Sequence, residues 1–77
     1  MDIRAVVGLN VLRVRRERNL SQEELSHRSG LTRAYLSGLE AGRRNPTVVS
    51  LSRLAEALGV DETYLVSRAN SVASRCD

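Results

Sequence analysis

The feature that most constrains the fold of this chain is the segment SQEELSHRSGLTRAYLSGLEAGRR at residues 21–44. Ser21 followed three residues later by Glu24 is a capping box, which predicts that a helix begins immediately after the serine. Gly30 predicts a left-handed end to that helix, and Thr32 predicts the N-cap of a second one. The segment is therefore predicted to form two short helices joined by a tight turn, an arrangement suited to laying a helix against a nucleic acid.

The second of these helices has two contrasting faces. Leu36 and Leu39 share one face, and their spacing predicts that this face packs inward. The opposite face carries only small residues at its centre, namely Ala34, Gly38 and Ala41. This small stripe predicts that the helix backbone approaches a partner closely.

Helical periodicity continues on both sides of the segment. A first helix is predicted over residues 3–18 from the recurrence of Ile3, Val7, Val11 and Val14. Thr47 is predicted to cap a fourth helix that ends at Gly59, and Asp61 to cap a short fifth helix over residues 62–68. Strands are poorly supported, so the expected fold class is all-α with five helices.

Length and composition indicate one small domain. The chain has 77 residues, of which residues 1–68 are expected to form the folded domain and residues 69–77, polar and aperiodic, a flexible tail. Its one cysteine, Cys76, excludes an intrachain disulfide, and we expect neither a metal nor a cofactor. No apolar run approaches the roughly 20 residues that span a bilayer, so no membrane partner and a cytoplasmic location are expected.

The positive charge of the chain comes entirely from arginine. The net charge is +3, and the twelve basic residues include no lysine. Arginine presents a planar fork of donors that fits phosphates and guanine edges. A charge of this size is also compatible with an ordinary solvated surface, so the placement of the arginines decides more than their number.

The pattern SQEELSHRSGLTRAYLSGLEAGRRNPTVVSLSRLAEALGV resembles the lambda-repressor-like, or Xre-type, helix-turn-helix family of bacterial and phage transcription regulators. The similarity extends over residues 7–66. Within that family, RAYLSGLEAGRRNPT is most similar to the controller proteins of restriction-modification systems, which are small dimeric regulators. The resemblance implies a homodimer that binds a pseudo-palindromic operator in double-stranded DNA, with its recognition helix in the major groove.

The resemblance also implies which residues meet DNA. Gln22 is expected to contact a phosphate and to brace the recognition helix, and Arg33 to read a guanine edge. Tyr35 fits either the sugar-phosphate backbone or the core. Relatives carry long polar side chains at the position of Gly38, so base readout here is expected to depend more on arginine and on DNA shape. The predicted DNA-contacting residues are Gln22, Thr32, Arg33, Ala34, Tyr35, Ser37, Arg43, Arg44, Asn45 and Ser50.

Two structural roles follow from the same resemblance. Arg15 and Glu40 are expected to form a partly buried ion pair between the first and third helices. The C-terminal end carries more apolar surface than five small helices bury, and relatives pair there. The predicted dimer interface consists of Leu58, Tyr64, Leu65 and Val66, with Val49 as a further candidate.

Two function classes stay open on the sequence. The first is the DNA-binding regulator, and the second is an antitoxin-type protein-interaction module with autoregulatory DNA binding. An enzyme is not expected, because no nucleophile and base can be paired and the only histidine, His27, is predicted to lie on the surface. No small-molecule substrate is evident.

Overall fold

The computed structural model describes residues 2–68, and within them every regular element is a helix. The order is α1 (Ile3–Glu17), α2 (Gln22–Ser29), α3 (Arg33–Glu40), α4 (Val48–Leu58) and α5 (Glu62–Val66). The all-α, five-helix prediction is confirmed. The tail predicted at residues 69–77 lies outside the described residues.

The ends of α2 and the start of α3 form as the local sequence predicts. The Glu24 amide donates to the Ser21 hydroxyl at 3.0 Å, and the Ser21 amide donates to the Glu24 carboxylate at 3.1 Å. Gly30 ends α2 with φ 77°, and the Thr32 hydroxyl accepts from the Tyr35 amide at 3.1 Å. The turn is therefore short, and α3 leaves it at a fixed angle to α2.

At the other helix ends the structure differs from the sequence predictions in two respects, both at α5. Thr47 caps α4, which Gly59 ends with φ 73°. Asp61 precedes α5, but its side chain makes no capping hydrogen bond. The Glu62 carboxylate accepts from its own backbone N–H instead, which lowers the pKa of that carboxyl. The fifth helix also ends at Val66, two residues earlier than predicted.

The core is one aliphatic cluster. It consists of Val7, Val11, Val14, Leu20, Leu25, Leu36, Leu39, Leu54, Ala55, Leu58 and Leu65. Ile3 was expected on the same face but is 44% exposed, because it lies in the first turn of α1 and only borders a shallow surface groove. Val6, one turn later, is buried in its place.

The predicted dimer interface divides between core and surface. Leu58 and Leu65 are fully buried within the protomer, so the expectation that they supply free apolar surface is wrong. The physical reason is that α5 packs against both α1 and α4, which turns Leu65 inward and covers the end of α4. Tyr64 and Val66 stay exposed, as does Val49 at the start of α4.

The first helix packs chiefly against α3 and α5. It approaches α3 closely because Gly8 has no side chain there. A Cβ at that position would overlap the Leu39 carbonyl oxygen and lie 3.0 Å from the Glu40 carbonyl oxygen. None of the helices within residues 2–68 is long and apolar enough to cross a membrane.

Candidate nucleic-acid interface

A single carboxylate at the end of α3 joins three helices. Glu40 accepts from the Arg15 guanidinium at 2.7 and 3.1 Å, and from the Gln22 side-chain amide at 2.9 Å. Arg15 also donates to the Leu20 carbonyl at 2.9 Å. The Arg15 and Glu40 side chains are only 13% and 7% exposed, so the predicted partly buried ion pair is present. This network fixes α3 relative to α1 and α2.

Gln22 has the bracing role that the resemblance implies. Its amide nitrogen is directed at Glu40, and the residue is half-buried at the first position of α2. A helix N-terminus favours a phosphate through its unpaired amides and its dipole, so the helix start remains suited to the backbone of a nucleic acid. The phosphate contact of Gln22 itself stays a prediction.

The front of α3 faces solvent. Thr32, Arg33, Ala34 and Ser37 are exposed. Arg33 has neither an ion-pair nor a hydrogen-bond partner among residues 2–68, so its guanidinium is available to a ligand. The Thr32 hydroxyl already accepts the capping hydrogen bond from Tyr35, which leaves its proton to donate outward.

The small stripe on α3 is interrupted at Gly38. This glycine is buried, because the side chain of Arg44 from the following loop lies across it. A Cβ added at Gly38 would lie 3.0 Å from Arg44 Cγ and 3.3 Å from Arg44 Nε. The expectation of an open, closely approachable backbone is therefore wrong at Gly38, although Ala34 and Ala41 on either side are exposed.

The same arginine reaches Tyr35. The central guanidinium carbon of Arg44 lies 5.4 Å from the centroid of the Tyr35 ring, within the range of a cation–π interaction. Tyr35 is half-buried, and it therefore forms part of the support for Arg44. The loop thus supplies a positive side chain to the part of α3 that has none of its own.

The rest of the loop and the start of α4 complete the surface. Arg43 and Asn45 are exposed. The Ser50 hydroxyl accepts a hydrogen bond from the Thr47 hydroxyl at 3.1 Å, which places Ser50 in the N-terminal turn of α4. All ten residues predicted to contact DNA thus lie at the α2 start, at the N-cap of α3 or on α3, in the loop after it, or at the α4 start.

This arrangement of α2, turn and α3 agrees with comparisons against known proteins. Residues 11–65 match the helix-turn-helix family, which is more than half of the chain. The chain belongs to the helix-turn-helix family. Its relatives in that family include proteins named as transcription regulators and as control proteins. The helix-turn-helix unit of this chain is α2 and α3, and α3 is its second helix.

Three similar proteins illustrate the family. An uncharacterized HTH-type transcriptional regulator, y4dJ of Sinorhizobium fredii, is 57% identical over 67 residues, which cover 87% of each chain. Control protein C.SmaI of Serratia marcescens is 41% identical, with 88% of this chain and 81% of that protein covered. The restriction-modification controller protein C.Esp1396I, solved as a tetramer with its natural 35 base-pair operator, is 31% identical with TM-score 0.77, and the match covers 84% of this chain and 86% of that one.

Two residues outside the helix-turn-helix unit were not predicted from the sequence. Arg53 on α4 is exposed, and its Nη1 lies 3.7 Å from where a Cβ of Gly30 would stand, beside the turn. Asn10 on α1 is fully buried. Neither has a local sequence signal, because the position of Arg53 depends on how α4 packs against α2 and that of Asn10 on how α5 packs against α1.

Proposed function

We propose that this chain is a transcription regulator that binds a pseudo-palindromic operator in double-stranded DNA as a homodimer, with α3 of each protomer in the major groove. The observation that carries the proposal is the solvent-facing front of α3, where Arg33 has no partner within the described part of the chain while Glu40 anchors the other end of the helix. Similarity to C.Esp1396I, a controller protein solved with its operator, supports it.

The residues of the surface divide into base-reading and backbone-contacting groups. Arg33 enters the groove, and its guanidinium donates two hydrogen bonds to a guanine edge, with Thr32 and Ala34 beside it. Arg44, lying over Gly38, supplies a second positive group at the middle of α3. The residues proposed to contact the sugar-phosphate backbone are Gln22, Tyr35, Ser37, Arg43, Asn45 and Ser50. Tyr35 also packs against Arg44.

Two protomers pair through the exposed part of α5. Tyr64 and Val66 are 37% and 38% exposed on a helix whose other side is buried, and a two-fold contact is the commonest arrangement for such a surface. Val66→Asp tests this interface without changing a core side chain. The variant is expected to sediment as a monomer at a concentration at which the wild type is a dimer.

Regulation then follows from operator occupancy, with no catalytic step and no cofactor. Binding across a promoter blocks polymerase, and binding just upstream recruits it. Since the target is the cell's own DNA, the cytoplasm is the proposed location. Among regulators, the similarity to C.SmaI and C.Esp1396I favours a controller protein of a restriction-modification system.

A salt-dependent gel shift tests the proposal. The probes are a short palindrome from the region upstream of the gene and a scrambled duplex of equal length. The affinity for the palindrome is expected to exceed that for the scrambled duplex about 10³-fold or more, and to fall about 10³-fold or more between 50 and 200 mM salt when six or more phosphates are contacted. Binding without salt dependence and without preference for the palindrome would contradict the proposal and favour a protein-interaction module.

A further inference from the structure

Asn10 is fully buried, and its side-chain amide is hydrogen-bonded at both ends. The amide nitrogen donates to the backbone carbonyls of Leu65 at 2.8 Å, Ser67 at 3.1 Å and Tyr64 at 3.4 Å. The amide oxygen accepts from Arg13 Nη2 at 3.1 Å. Because carbonyls only accept and a guanidinium only donates, this set of partners fixes which end of the amide faces α5.

Two of the three carbonyls, those of Tyr64 and Leu65, belong to the end of α5, and the third belongs to Ser67, the residue that follows the helix. The last carbonyls of a helix have no donor within the helix, and a buried carbonyl without a partner is costly. A five-residue helix has little stability of its own, so its position depends on what it is attached to. Asn10 provides that attachment with one side chain from α1.

The helix that carries Asn10, α1, is also attached to α3. Gly8 brings the α1 backbone against the α3 backbone at Leu39 and Glu40, and Arg15 is bonded to the Glu40 carboxylate. The helix α1 therefore connects the proposed dimer helix α5 to the recognition helix α3. The position of α5 relative to α3 is therefore set by α1.

We propose that Asn10 is a positioning residue that sets the half-site spacing accepted by the dimer, an inference that rests on the proposed pairing through α5. By holding the end of α5 on α1, it fixes the orientation of Tyr64 and Val66, and with it the separation of the two α3 helices. Half-sites lie about 34 Å apart, one helical turn of DNA, so adding or removing one base pair both shifts and rotates a half-site. A rigid dimer rejects the altered spacing, and a dimer with a loosened α5 accepts it.

The test measures binding to operators whose half-sites are separated by the natural spacing, one base pair fewer and one base pair more. The wild type is expected to lose affinity on each altered spacing by about tenfold, comparable to one mismatched base pair. Asn10→Ala is expected to bind all three operators within about threefold of one another, because the three carbonyls lose their common donor. Affinity for a single half-site is expected to stay at the wild-type level.

Two further variants make the result specific. Val14→Ala removes buried methyl groups from the same helix outside the amide network, so it is expected to lower stability but keep the wild-type spacing preference. Arg13→Ala removes the donor to the Asn10 oxygen and leaves the core in place, and it is expected to relax the spacing preference in the same direction as Asn10→Ala. If Asn10→Ala lacks the wild-type helical circular dichroism and so has not folded, the spacing preference of Arg13→Ala is used to test the role of Asn10.

The outcomes separate the role of Asn10 from the function it serves. A wild-type spacing preference retained in the folded Asn10 and Arg13 variants would overturn the role of Asn10 alone. A relaxed preference in Val14→Ala as well would also overturn it, since general loosening would then suffice. A wild type that binds all spacings equally would overturn the rigid pairing on which this role of Asn10 rests, whereas the sedimentation of Val66→Asp tests the dimer separately.

Discussion

Replacing Gly38 by alanine is expected to stabilise the protein and weaken its DNA binding at the same time. Gly38 lies inside α3 and is not among the glycines with positive φ, so alanine adopts its backbone conformation without strain. The exchange contributes about 0.5 to 1 kcal/mol of stability, because glycine in a helix interior loses more chain entropy on folding than alanine. For a domain of this size the midpoint of thermal unfolding is expected to rise by about 2 to 8 °C.

The weaker binding follows from the position of Arg44. The new Cβ would lie 3.0 Å from Arg44 Cγ, closer than a normal contact, so one of the two groups must move. Arg44 is an exposed, flexible side chain and α3 is a packed helix, so the arginine moves. Complete removal in Arg44→Ala is expected to cost about 1 to 3 kcal/mol of specific DNA binding, and Gly38→Ala a measurable part of that.

A double-mutant cycle identifies the cause. DNA affinity is measured by fluorescence anisotropy and stability by thermal melting, with all four proteins at one concentration because the melting of a dimer depends on it. In the Arg44→Ala background, Gly38→Ala is expected to keep its stabilising effect and to have no further effect on DNA affinity. An equal loss of affinity in both backgrounds would refute the reasoning, because the alanine methyl would then clash with DNA directly. A fall in the melting midpoint of Gly38→Ala would refute it as well.

Three further changes test other parts of the structure. Arg33→Ala is expected to weaken specific binding by about 1 to 3 kcal/mol and leave non-specific binding nearly intact, whereas equal loss on both kinds of DNA would place Arg33 on a phosphate. Arg15→Met is expected to cost about 3 to 5 kcal/mol in urea unfolding because Glu40 loses its charge partner, and a cost below about 1 kcal/mol would contradict this. Hydrogen bonds from Arg4 lower the pKa of Asp2 from its usual 3.8 to about 2. The stability from this helix cap is therefore complete above pH 3.8 and lost as the pH falls through 2, and Asp2→Asn should abolish this part of the acid dependence of helical circular dichroism.

The elements that could be predicted from the sequence depend on local contacts. The capping box of Ser21 and Glu24, the left-handed Gly30 and the cap at Thr32 each involve partners within four residues of one another. Such signals retain their meaning wherever the segment is packed. The ion pair between α1 and α3 joins residues 25 positions apart, and only the resemblance to a family indicated it.

The features that the sequence did not reveal depend on packing between distant elements. Periodicity identifies an apolar face but not how much of it neighbouring helices cover, which is why Leu58 and Leu65 were assigned to an interface although they lie in the core. The cover over Gly38 depends on the path of the loop that carries Arg44. A polar residue such as Asn10 on a buried helix face has no pattern of its own, since the carbonyls to which its amide nitrogen donates are more than 50 positions away.

The shared carboxylate of Glu40 limits how a protein of this kind can acquire a new operator preference. Gln22 is hydrogen-bonded to the same carboxylate as Arg15, so a substitution of Gln22 that alters its proposed contact with the DNA backbone also disturbs the anchor of α3. Among residues 2–68 the side chains of Arg33 and Arg43 have no such bond, and exchanging them is expected to leave the scaffold unchanged. Evolution of a new target is therefore expected to proceed through the front of α3 and its loop, while the three linked positions change together or not at all.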